Sequence, residues 1–120
     1  MVKTLLIYKS IHHQNSKKIA EVFSRELNAR PVEADQLKIE QLDNYQLIGF
    51  GSGIYNQKHH HALFDLIAKI PAQSNKTCFV FSTASIEYKK MNEALIAALQ
   101  GKGFKVVDQF ICRAFMDYSF

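Results

Sequence analysis

The sequence predicts an α/β fold, a doubly wound parallel sheet with helices on both faces. Three observations carry this. Strand-length apolar runs alternate with amphipathic helical stripes along the whole chain. Those runs are apolar at consecutive positions, as strands buried on both sides are, and do not alternate apolar with polar. A chain of 120 residues, 48% apolar and 22% charged, suits one hydrophobic core, so a single domain over residues 1–120 is expected.

Residues 2–8 make the first buried run. After a polar loop, Ile19, Ala20, Phe23 and Leu27 recur at helical spacing, with Asn15 or Ser16 placed to cap the helix start. Residues 30–34 form a short strand whose Pro31 cannot donate to a ladder, which suits a sheet edge. Residues 35–45 are short and mostly polar, so this crossover holds at most a stunted helix. Residues 46–50 are the next buried run, followed by Gly51-Ser52-Gly53 as a turn. A helix carrying Leu63, Phe64, Ile67 and Ile70 then runs to Pro71, which ends it. Residues 77–81 are a further strand, and Met91, Ala94, Leu95, Ala98 and Leu99 a further helical stripe. Gly101 is the natural end of that helix. Residues 104–107 and 110–112 supply the last strand in two pieces.

Composition excludes several classes. No window approaches eighteen uncharged apolar residues, and the first run is too short for a signal-peptide core. Cys78 and Cys112 both lie in apolar runs and read as buried free thiols of a reducing compartment, hence a cytoplasmic location. The formal charge is +4, but Lys17-Lys18, Lys89-Lys90, Lys102 and Lys105 are dispersed among acidic neighbours. That is a solvated surface, not a nucleic-acid or membrane footprint.

In an open doubly wound sheet, ligands bind beyond the carboxyl ends of the strands. The loop Ser10-Ile11-His12-His13-Gln14-Asn15-Ser16 lies there. It offers hydroxyls, an amide and the free N–H groups of a helix start, the donors that a phosphate needs. Its spacing fits an ordinary capped turn equally well. It has no glycine, so the GxxxxGK[ST] and GxGxxG nucleotide loops are absent.

Leu6-Ile7-Tyr8-x-Ser10, the hydroxyl- and amide-rich loop and Lys18-Ile19-Ala20 resemble the FMN-phosphate loop of flavodoxins. The stretch Leu47-Ile48-Gly49-Phe50-Gly51-Ser52-Gly53-Ile54-Tyr55 is similar to that family's third strand and first flavin-flanking loop. Cys78-Phe79-Val80-Phe81-Ser82-Thr83 is similar to its fourth strand entering the second flavin loop. The resemblance covers essentially the whole chain. It implies a five-stranded sheet in the order 2-1-3-4-5 and one non-covalent FMN. Against the family's usual Ser/Thr-x-Thr-Gly-x-Thr, this chain has His12-His13 at the glycine and one residue more before Asn15-Ser16.

By that resemblance Ser10, Gln14, Asn15 and Ser16 hold the phosphate, with His12 or His13 donating to it. Ser52, Gly53, Ile54 and Tyr55 line the isoalloxazine, Tyr55 as the stacking ring and Gly53 as the tight-turn residue. Ser82, Thr83, Ala84 and Ser85 meet the pyrimidine edge. With nothing downstream for an adenosine, FMN is expected and not FAD. His59-His60-His61 invites a metal reading, but consecutive residues point in different directions and no Cys or carboxylate stands at ligand spacing, so no metal is expected.

The implied function is a small electron carrier between a reductase and an acceptor, with no catalytic residues of its own. An oxidoreductase of the protoporphyrinogen dehydrogenase or quinone reductase type is one alternative, and a flavin-free binding module another. A basic carrier favours redox partners with acidic docking surfaces. The family normally has a fifth helix after the last strand, which this sequence lacks. An apolar sheet face over the last three strands is therefore expected to be covered by a second subunit or by the apolar residues 110–120 folding back.

Overall fold

The computed structural model describes residues 3–9, 15–55, 58–84, 90 and 92–113. The chain alternates as the apolar runs predict: β1 (Thr4–Lys9), α1 (Asn15–Leu27), β2 (Ala29–Glu33), two 3-10 turns (Ala34–Gln36 and Ile39–Asn44), then β3 (Leu47–Tyr55). A two-residue β4 (Lys58–His59) leads into α2 (His61–Lys69), β5 (Lys76–Ala84), α3 (Glu93–Gly101) and β6 (Phe104–Arg113). The sheet order is β2-β1-β3-β5-β6, every neighbouring pair parallel, with β4 folded back antiparallel on β3. With β4 set aside this is 2-1-3-4-5, the order the family resemblance implies. Between β2 and β3 the crossover is reduced to its two 3-10 turns, too polar to build a longer helix.

Each sheet face has its own core. On one, Leu5, Ile7, Ile48, Phe50, Cys78 and Val80 pack beneath α2, α3 and the 3-10 turns, against Leu63, Ile67, Leu95 and Leu99. On the other, Leu6, Phe79 and Phe81 pack with Ala20 of α1. Fully burying each such side chain contributes roughly 1.5–3 kcal/mol. Gly49 and Gly51 make the second core possible. A Cβ on Gly49 would run into the Phe79 ring and Leu6, and one on Gly51 into the Phe81 ring. The two phenyl rings therefore lie against bare glycine backbone, beneath α1.

Several boundaries differ from the sequence reading. Gly51-Ser52-Gly53 is strand, not turn: Gly51 pairs with Phe81, Ser52 with Ser82 and Gly53 with Thr83. A glycine pair reads as a break, yet here Gly51 accommodates the Phe81 ring. Ser82 and Thr83 likewise extend β5. The last strand is continuous, and the interruption at Asp108-Gln109 is a bulge: Cys78 pairs with Val106 but Phe79 with Asp108, leaving Val107 extra. α3 ends at Gly101, as the sequence reading has it, and the left-handed glycine follows two residues later at Gly103, φ 101°. A side chain at Gly103 would also strike the Gln73 backbone. Leu27, the last apolar position of the helical stripe, is exposed, and Asn28 closes α1 just after it with a left-handed φ of 53°.

α1 packs on β1, β2, β3 and β5, while α3 packs on β6 from the opposite face. Among the described residues no helix follows β6. The uncovered patch is smaller than the sequence suggests, since Phe79 and Phe81 are buried. Its exposed apolar side chains on β6 are Val107, 50% exposed, and Phe110, 39% exposed, the latter stacked edge-on against Phe79 at 5.9 Å. Residues 114–120 lie outside the described residues. No described helix is long and apolar enough to cross a membrane.

Candidate functional site

Parallel pairing brings the carboxyl ends of β1, β3 and β5 to one edge. Chain order reverses between β1 and β3, and in an open α/β sheet that reversal opens a crevice. β1 stops at Lys9, paired with Ser52, while β3 continues to Tyr55 and β5 to Ala84. Two strands thus project past a third, beside the end where α1 begins at Asn15. The N-terminus of a helix carries free N–H groups and partial positive charge, and α1 presents that end beside the notch.

The wall formed by β3 is fastened from below. Beyond Gly53 the chain doubles back, Ile54 pairing with His59 and Tyr55 with Lys58. Ser52 Oγ donates to the Gly53 carbonyl at 2.6 Å and accepts from the His60 N–H at 2.9 Å. Both ends of this hairpin are therefore held by one buried hydroxyl. His59 is 3% exposed, and its Nε2–H donates to the Phe81 carbonyl at 2.8 Å, joining the hairpin to β5. With Nε2 as donor, Nδ1 is the bare acceptor, buried and unpartnered. Ser82 Oγ is also buried without a partner, whereas Thr83 is buried with its interactions made.

The three consecutive histidines take three separate duties. His59 clasps β5. His60 caps α2, its Nδ1 accepting from the Ala62 N–H at 3.0 Å. His61 pairs with Asp65 at 3.1 Å on an exposed face. Among the described residues no group of His, Cys, Asp and Glu is arranged to hold a metal ion. Burial pulls the His59 pKa down to about 4, more than the Phe81 carbonyl bond raises it. His60 is also lowered, first by burial and then by the neighbouring His61 and Lys9 charges. Cys78 is a buried free thiol with its pKa pushed up to about 12 by burial, hence unreactive.

On the α2 side of the same edge lies a cleft of about 570 Å³ lined by Lys9, Asp35, His60, His61, Asp65 and Lys69 over an apolar floor. Lys9 Nζ reaches Asp35 at 3.0 Å and Glu33 at 3.8 Å, tying the end of β1 to the turn after β2. The hydrogen bond from Lys9 is the main reason the Asp35 pKa is lowered.

Of the residues assigned to the flavin, the structure brings Ser52, Gly53, Ile54, Tyr55, Ser82, Thr83 and Ala84 to the two projecting strand ends. Ser52 uses its hydroxyl internally, so it supports the wall and does not face a ligand with it. Gly53 is extended within the ladder; among the described residues only Gly103 is a glycine with positive φ. Asn15 and Ser16 open α1. Ser10, His12, His13, Gln14 and Ser85 lie outside the described residues. Sequence reasoning missed the work of His59, whose only signal was its place just before a helix and just after an apolar strand.

The model of the flavodoxin domain matches residues 5–114. The chain belongs to the flavodoxin family. An uncharacterised protein of Methanocaldococcus jannaschii is 42% identical over 120 residues, covering 98% of this chain and 79% of that protein. Among solved structures, oxidised flavodoxin 2 of Bacillus cereus superposes with a TM-score of 0.77 at 20% identity, covering 97% of this chain and 88% of its own. A flavodoxin from the domain Archaea gives 0.75 at 15% identity, covering 95% and 86%. These likenesses establish the flavodoxin fold.

His59 makes this flavodoxin fold acid-sensitive. Its folded pKa of about 4 lies below the ordinary 6.5, so the unfolded chain takes up the proton first as pH falls. The stabilisation is complete above about pH 6.5 and drains away toward pH 4, by up to about 3 kcal/mol. Urea unfolding at several pH values should show this loss in the native chain and a flatter profile in His59→Gln. Parallel profiles would remove His59 as the source.

Proposed function

We propose that this protein binds FMN in the notch at the carboxyl ends of β1, β3 and β5 and carries electrons between a reductase and an acceptor. The observation supporting it is the pair of projecting strand ends, β3 to Tyr55 and β5 to Ala84, beside the start of α1. The residues present fit such a group. A planar ring needs two walls held apart, and the hairpin and the end of β5 supply them. A phosphate needs converging donors; in this reading it takes the free N–H groups at the start of α1, with Ser10, Asn15 and Ser16 as its assigned side-chain donors. The buried, unpartnered Ser82 hydroxyl at one wall is a polar atom awaiting a partner.

Bound FMN supplies one- and two-electron redox chemistry; the protein's share is to bind and orient the ring and control its access to water. No described carboxylate or thiol at the notch is placed as a nucleophile or acid–base pair, so the reading favours a carrier over an enzyme with its own substrate. With a formal charge of +4, the redox partners we assign have acidic docking surfaces. A second copy of the chain is the proposed cover for Val107 and Phe110 on β6. Light scattering at micromolar concentration should give a dimer mass; a strict monomer refutes that cover.

Titration with FMN and with riboflavin tests the site itself. The native chain should bind FMN and gain the visible absorption of a protein-bound flavin. Replacing Ser10 and Asn15 together by Ala should weaken FMN much more than riboflavin, because only FMN carries the phosphate. Equal losses would overturn the phosphate assignment, and a native chain that binds neither would overturn the flavin reading.

A further inference from the structure

We propose that His59 is a positioning residue that sets the spacing of the two walls flanking the isoalloxazine, and so controls affinity for the ring and not for the phosphate. The inference rests on the FMN reading above and deepens it.

The geometry points to one contact. Gly53, Ile54 and Tyr55 ride on the hairpin that ends at His59, and Ser82 and Thr83 follow Phe81 directly on β5. Strand pairing joins these walls only as far as Gly53 and Thr83. From beyond that register His59, on β4, reaches back to β5: its Nε2–H donates to the Phe81 carbonyl at 2.8 Å, a side-chain link between the hairpin and β5. It is buried, where exchange with water does not compensate a lost partner. The Ser52–His60 bond holds the hairpin's base but does not reach β5. Burial and the Phe81 carbonyl are the influences that set the ring's titration, with no charged side chain among them, so at neutral pH the link is a neutral donor that stays made. Losing it frees the outer hairpin to move relative to β5 and leaves the phosphate corner at α1 untouched.

Two polar variants separate this from loss of folding. In His59→Gln the side-chain amide reaches the place of Nε2 and can donate to Phe81; in His59→Asn the amide lies at the place of Nδ1 and falls short. Full-length native and variant chains are titrated with riboflavin and with FMN, and the visible circular dichroism of the bound flavin is recorded. His59→Asn should lose about tenfold for riboflavin and FMN alike, the size of one buried hydrogen bond, with an altered dichroism spectrum. His59→Gln should bind within about threefold of native and keep the native spectrum. Native binding and an unchanged spectrum in His59→Asn, or a loss confined to FMN, overturns the positioning role. If His59→Asn does not fold, His59→Gln decides alone: native-like binding and spectrum support the clasp, and a tenfold loss refutes it. A native chain that binds neither flavin defeats the FMN reading itself, which is distinct from failure of the clasp in a chain that does bind.

Discussion

The pairing of β3 with β5, from Leu47–Thr77 to Gly53–Thr83, is the constraint on which the rest of this structure depends. It brings the Phe79 and Phe81 rings over Gly49 and Gly51, where any side chain on the glycines would collide with them. On the other face, the same pairing sets Phe50 and Val80 under α2 and α3. One strand pair therefore anchors both cores, and in a tightly packed interior neither can shift without the other. The same pairing carries the two strand ends past β1, so core packing and site geometry are a single arrangement.

The carboxyl edge departs from the economy of the core. His59 Nδ1, Ser82 Oγ and Asn92 Oδ1 are buried without hydrogen-bond partners, each at a cost on the order of 1–3 kcal/mol. Asn92 lies at the start of α3 and spends its amide on Gln109 and the Phe110 carbonyl. All three sit near the carboxyl end of β5, whereas among the described residues the strand middles carry no such atoms. Local rules are broken at the edge where the candidate site lies, and a stable two-faced core tolerates the expense. The histidines add a second consequence: burial disfavours the protonated form of His59, and His60 caps α2 only while its Nδ1 is unprotonated, so acid acts on this edge before it acts on the core.

Much of the fold was legible in the sequence because continuous apolar runs such as Leu5-Leu6-Ile7 and Cys78-Phe79-Val80-Phe81 have only one comfortable setting, a strand covered on both faces. The strand ends were not. Gly51-Ser52-Gly53 carries no hydrophobic signal, and only the distant Phe81 ring shows why glycine belongs in that strand. The bulge at Val107 hid behind the polar pair Asp108-Gln109, which reads as a break although the ladder continues. At the site, residue types and loop positions were readable, but the division of labour among His59, His60 and His61 depends on Phe81, Ala62 and Asp65, and periodicity carries no trace of the contact with Phe81.

Amide chemical-shift mapping of the native chain during an FMN titration tests the central claim most directly. The account predicts that the largest shifts fall on Gly53–Tyr55, Ser82–Ala84 and the start of α1, with β6 and the distal half of α3 little changed. Shifts centred on the cleft between Asp35 and Asp65, or on β6, with the strand ends silent, would contradict it.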